Sequence, residues 1–169
     1  MKSLFILLIS ILSTVATFAS DADAIDYNDK IVTEQNKIGE AILAFSSNPN
    51  DFTLNQIKIQ ADEGLEVLNS MKPFEGNKKF LSAAKALFKF YGEITGNEYK
   101  KILLLIKEKD KYTNEEINAK VNELTGSISK KENPLDVQFK EAQVEFAGKY
   151  NFTLTKNELE EKINKLKDK

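Results

Sequence analysis

The sequence predicts an all-α protein: an up-down-up-down four-helix bundle with a longer, kinked second hairpin, closed by a short C-terminal amphipathic helix. Three observations predict it. From residue 26 onward, apolar residues recur at spacings of three, four and seven, the period of a helix with one buried face. Thr113-Asn114-Glu115-Glu116 and Thr155-Lys156-Asn157-Glu158 are capping boxes, in which a hydroxyl and a carboxylate each satisfy a free amide at a helix start. The stripes are joined by short turns, as antiparallel bundles require.

The first stripe is Tyr27, Ile31, Ile38, Ile42 and Phe45, with Glu34 and Gln35 in the skipped turn and Asp26 as candidate N-cap. Ser46-Ser47-Asn48-Pro49-Asn50 stops it, because proline disfavours helix in the residue before it. The second stripe, Leu54, Ile57, Ala61, Leu65, Leu68 and Met71, is capped by Asp51 or Thr53 and ended by Lys72-Pro73-Phe74-Glu75-Gly76.

The third stripe is long. Asn77 caps it, and Phe80, Leu81, Ala84, Leu87, Phe88, Tyr91, Ile94, Glu98/Tyr99, Ile102, Leu105 and Ile106 follow without a phase break. This predicts one helix to Lys109, about 50 Å long at a rise of 1.5 Å per residue. The fourth begins at the Thr113 box with Ile117, Val121, Leu124 and Ile128. Its phase survives Asn133-Pro134 into Leu135, Phe139, Ala142, Phe146 and Tyr150, predicting one helix kinked near Pro134 and ending at Lys149. Asn151 to Leu154 reads as an extended link. Leu159, Ile163 and Leu166 form the C-terminal stripe, placed to cover the far end of the long hairpin. The first two helices are acidic and the third is basic, which favours packing them side by side by a small margin per exposed pair.

Residues 1–19 read as a signal peptide. A single lysine precedes an apolar run from Leu4 to Phe18, then a small residue, Ala19, and an acidic patch. The run is shorter than the roughly 20 residues that span a bilayer. The prediction is an exported chain, periplasmic, at the cell surface or extracellular, with residues 20–169 forming a single domain and no transmembrane segment. No cysteine is present, so the core must hold without disulfides and a Cys-anchored lipoprotein is ruled out.

Composition excludes more. His, Cys, Trp and Arg are all absent. Without imidazole or thiolate there is no nucleophile–base dyad of the usual kind, no ordinary structural zinc site and no Glu-x-x-His di-iron site. All 24 cations are lysines and the net charge is −2. Lysine lacks the planar fork that reads phosphate or guanine, and nucleic acid is an unfavourable partner for such a chain. The reading is non-catalytic, with no cofactor and no metal.

Four features are candidate sites. On the third helix Lys85, Lys89 and Lys100, with Lys78, Lys107 and Lys111, fall near one line beside Gly92 and Gly96. A bare notch there would admit an anionic group or a close-packed helix, marking a site for an envelope protein or an anionic surface component. More simply, it is a solvated face paired with the acidic helices. Glu34, Glu98 and Glu132 fall at or near core turns. Converging carboxylates bind hard cations, whereas acids at stripe edges reach water. Phe80, Phe88, Phe90, Tyr91, Phe139, Phe146 and Tyr150 either pack as core or enclose an apolar ligand. Phe90 flanks its stripe, and with Phe74 and Phe152 forms a candidate satellite cluster. Asn151-Phe152-Thr153 matches a glycosylation pattern that matters only where that machinery exists.

Three stretches carry a resemblance. They are Asp26-Tyr27-Asn28-Asp29-Lys30-Ile31-Val32 continuing through Gln35-Asn36-Lys37-Ile38, then Leu87-Phe88-Lys89-Phe90-Tyr91, and then Glu145-Phe146-Ala147-Gly148-Lys149-Tyr150-Asn151-Phe152. Together they resemble a family of exported bacterial helical proteins loosely described as surface proteins. The resemblance implies an envelope location and a helical bundle, and it carries over no catalytic residue. The expectation is therefore a binding or structural protein of a bacterial envelope. The alternative is a carrier holding a small apolar or anionic ligand between its helices, and third comes an enzyme restricted to Asp, Glu, Lys and Tyr.

Overall fold

The computed structural model describes residues 12–15 and 22–156. It is all-α, and its order is β1 (Leu12–Val15), α1 (Ala22–Ser47), α2 (Asp51–Ser70), α3 (Lys79–Ile94), a π-helical turn (Thr95–Tyr99), α4 (Lys100–Lys107), a 3-10 turn (Lys109–Lys111), α5 (Asn114–Lys149) and β2 (Thr153–Lys156).

Local chemistry sets these boundaries. α1 begins at Ala22, so Asp26 lies inside the helix rather than capping it. Asp23 stands in the first turn instead, where the helix dipole favours an acid. α2 is capped by Asn50, not by Asp51 or Thr53. Asn50 Oδ1 accepts from the Thr53 amide at 3.0 Å, and Thr53 Oγ1 accepts from the Asn50 amide at 3.1 Å. The extended backbone of Asn50 (φ −155°, ψ 173°) is the conformation an N-cap needs. The next turn reverses through left-handed Glu75 (φ 45°) and Gly76 (φ 79°), and Asn77 Oδ1 then takes the free amide of Lys79.

The long third stripe is buried as expected through Ile102, but the helix that carries it is not continuous. A π turn at Thr95–Tyr99 separates α3 from α4, and α4 ends at Lys107 rather than Lys109. The physical reason lies in the turn itself. Thr95 Oγ1 donates to the Tyr91 carbonyl at 2.8 Å, competing with the backbone ladder. Gly96 is a weak helix former. The wider turn lets Thr95, Glu98 and Tyr99 all face inward.

α5 runs through exposed Pro134 as one helix. Its capping box forms as the sequence predicts, with Thr113 Oγ1 accepting from Glu116 N at 3.2 Å and Glu116 Oε2 from Thr113 N at 2.8 Å. After left-handed Asn151 (φ 57°) the chain extends, and Thr153–Lys156 pairs antiparallel with Leu12–Val15. Thr155 thus stands within a strand. The C-terminal helix predicted beyond it, and most of the predicted signal peptide, lie outside the described residues.

α1 packs on α2, α2 on α3, and α3 on α5. Two aromatic groups mark where the ends meet. Phe146, near the end of α5, touches Tyr27 near the start of α1, Phe74 just beyond α2 and Phe80 at the start of α3, with ring centroids 5.3–5.7 Å apart. Tyr150 and Phe152 close over the same ring. Elsewhere, Phe45 near the end of α1 meets Tyr99 of the π turn edge-on at 5.3 Å. Burying each such ring stabilises the fold by about 1.5–3 kcal/mol. Phe74 and Phe152 thus share the Phe146 hub, but Phe90 does not; its ring pairs with Tyr91.

Candidate functional site

The lysine line of α3 and α4 does not converge on a notch. Lys89 and Lys100 are exposed and Lys85 is half-buried. Gly92 faces α2: a Cβ there would lie 3.5 Å from Asp62 Oδ1 and 3.9 Å from Ala61 Cβ. Gly96, in the π turn, faces open space. Several lysines are taken up locally. Lys89 pairs with Glu93 one turn on, at 3.8 Å. Lys107 binds both carboxylate oxygens of Asp51 at the start of α2, and Lys79 pairs with Glu145 of α5. These exposed pairs contribute about 0–1 kcal/mol each.

The three acids singled out from the stripes do not reach water at the edges. Glu34, Glu98 and Glu132 are all buried. The first two are neutralised by lysines that reach in: Lys37 to Glu34 at 2.8 Å and Lys131 to Glu98 at 2.5 Å. Burial opposes ionisation of Glu98, but the hydrogen bond and charge of Lys131, with Lys101 nearby, hold its carboxyl below the usual range. The three do not assemble. Among the described residues no group of three metal-binding side chains forms.

Glu132 is different. It is 1% exposed, and the Tyr91 hydroxyl donates to its Oε1 at 2.7 Å. Burial pushes the carboxyl up to about 8; the charge of Asp136 adds to the rise, while the Tyr91 hydrogen bond and Lys140 work against it. Burial, with Glu132 beside them, also raises the phenols of Tyr91 and Tyr99 well above their usual range. Asp136, one turn on, is buried and held by Lys140 at 2.6 Å.

This polar seam extends along α5 to Gln143, whose amide donates to Asn28 of α1 at 2.8 Å. On α1 the Gln35 amide is 1% exposed and has no hydrogen-bond partner among the described residues. Asp136 and Gln143 escaped the sequence reading, although Glu132, Asp136, Phe139, Gln143 and Phe146 fall on one helical face. A stripe search that scores only apolar residues skips them.

Where a carrier would hold its ligand, aromatic side chains are packed on one another. Phe88, Phe139 and Phe146 are wholly buried, and Phe80 lies against both Phe139 and Phe146. A cavity of about 340 Å³ opens instead at the other end of the long hairpin. Leu104, Leu105, Tyr112 and Leu124 line it, with lysines and glutamates of both α4 and α5 around them. Lys120 Nζ lies 5.2 Å from the Tyr112 ring centre, within range of a cation–π attraction. Leu104 remains 48% exposed.

No family model matches this chain, and no curated protein or solved structure is significantly similar to it.

Proposed function

We propose that this is an exported, non-catalytic protein with a binding or structural role in a bacterial cell envelope, built as an up-down-up-down four-helix bundle with its fourth helix bent at Pro134. The contacts that join the start of α1, the end of α2, the start of α3 and the end of α5 around Phe146 support the alternating course. The leader-like N-terminus and the resemblance to exported surface proteins support the address. The observation that carries the functional reading is the ring-on-ring core around Phe146. These rings pack on one another, which favours recognition at the surface over a ligand held among them. Glu132, whose carboxyl burial pushes up to about 8, is sealed from any substrate and bonded to Tyr91, which supports a role in the fold.

A carrier remains the second reading, favoured by the cavity at the α4–α5 end. Its volume lies at the lower bound of the roughly 300–1,000 Å³ typical of small-ligand sites. A ligand there would be small and largely apolar, held at the tip of the hairpin rather than between all four helices.

Native mass spectrometry of protein taken from its own envelope tests both readings. A clean protomer, or an integral multiple of it, supports the interaction protein and directs cross-linking to its partners. Extra mass of a few hundred daltons that leaves on denaturation gives the carrier the lead. Recovery of the chain in the cytoplasm with residues 1–19 still attached would sink the export proposal.

A further inference from the structure

A buried carboxyl hydrogen-bonded across a helix seam is a conspicuous use of a titratable group, since acids are seldom fully buried. Glu132 of α5 meets Tyr91 of α3 at 2.7 Å. Four residues on, within one helical turn, Asp136 is also buried. Lys140 is bound to Asp136, and its charge also reaches Glu132. The seam lies beside the π turn, whose Thr95 hydroxyl is bonded to the Tyr91 carbonyl and whose buried Tyr99 is within reach of the Glu132 charge.

Other acids of the elements packed around the seam have lysine partners of their own. Glu98 of the π turn holds Lys131, Glu34 of α1 holds Lys37, and Asp62 of α2 holds Lys58. Among the described residues, then, Asp136 is paired with an ammonium whereas Glu132 is bonded to the uncharged Tyr91. A second buried charge without a second counter-ion is unfavourable.

We propose that Glu132 is a proton-operated latch between α3 and α5: protonated, it packs against Tyr91 without charge; deprotonated, it sets a second buried anion beside Asp136, a cost the strengthened Tyr91 hydrogen bond does not offset, and the seam around the π turn loosens. The step breaks the Glu132 O–H bond and passes the proton to solvent. The electron pair stays on the carboxylate, which then sits beside the Asp136 anion. The direction of the pH dependence follows. The folded carboxyl titrates at about 8 against an unfolded value of 4.5, so the folded state binds the proton more tightly. The stabilisation is complete below pH 4.5 and is lost as pH rises through 8. A mildly alkaline medium would then open this seam while the packing of Phe146 on Phe74 and Phe80, which have nothing to titrate, stays shut.

The test compares wild type, Glu132→Gln and Asp136→Asn by thermal melting and near-ultraviolet circular dichroism between about pH 6 and pH 9. The five tyrosines report there, since no tryptophan is present. The wild-type melting temperature should fall by about 5 °C or more across the window, with a one-proton loss of tyrosine signal and unchanged helix content. Glu132→Gln keeps an acceptor for Tyr91 and cannot ionise, so its profile should be flat. Asp136→Asn removes the neighbouring anion and should move the transition to lower pH. A flat wild-type profile, or one that Glu132→Gln leaves intact, overturns the proposal. If Glu132→Gln does not fold, carbon-13 titration of the wild-type carboxyls decides. One glutamate titrating in the alkaline range supports the latch, and all of them titrating in the ordinary acidic range overturns it.

Discussion

Gln143 on α5 donates its side-chain amide to Asn28 on α1 at 2.8 Å, across 115 residues of sequence. Both side chains are fully buried. The bond ties the first helix to the last long one, and its value lies in what happens when half of it is removed.

Asn28→Ala or Gln143→Ala alone should destabilise the fold by about 1–3 kcal/mol, because each strands a buried polar partner. Replacing both with leucine should cost less than the two single changes added together. Urea denaturation of the two single variants and the double leucine variant measures this. Additive losses would show that the two amides are not coupled.

Two glycines inside helices should respond to alanine with opposite signs. At Gly64 a Cβ would come within 2.8 Å of Phe88 Cε2. The Phe88 ring is fully buried and hemmed in, so Gly64→Ala should cost about 1–3 kcal/mol despite alanine's better helix propensity. At Gly148 a Cβ would meet nothing within 4 Å, and Gly148→Ala should stabilise α5 by about 0.5–1 kcal/mol. Melting temperatures that move the same way in both variants would contradict the close α2–α3 approach at Gly64.

Phe146 joins α5 to α1, to the turn after α2, to α3 and to the segment leading into β2. Phe146→Ala should cost about 3–5 kcal/mol, against less than about 0.5 kcal/mol for Val144→Ala, whose side chain is 55% exposed two residues away. Chemical denaturation of the pair checks it. Similar losses would mean that the hub does not carry the packing assigned to it.

Pro134 lies exposed within α5, where its ring clashes with the preceding turn and its missing N–H leaves one carbonyl of the ladder unpaired. Pro134→Ala should raise stability, by up to about 3 kcal/mol, the interior penalty of proline. An unchanged or lower melting temperature would indicate that the proline fits a bend the rest of the packing needs.

Much of this architecture was legible along the chain. The stripes through Ile31, Leu68, Phe88 and Phe146 placed the helices, because a 3.6-residue period needs no knowledge of the partner. The Thr113 capping box marked the start of α5 for the same reason: its two hydrogen bonds close within four residues. Continuity through Pro134 was legible as unbroken phase. The Asn50 cap was missed by a residue or more, since several adjacent side chains are able to cap and only the backbone's extended geometry selects one.

What sequence alone determined is the helical class, the approximate bounds of each long helix and the absence of thiol and imidazole chemistry, all set by residue type and local spacing. Tertiary structure decided the rest. The π turn at Thr95–Tyr99, the pairing of Leu12–Val15 with Thr153–Lys156, and the burial of Glu132 against Tyr91 depend on which surfaces meet. A carboxyl at the edge of an apolar stripe is wet or dry according to the neighbour that covers it, and that neighbour lies 41 residues away.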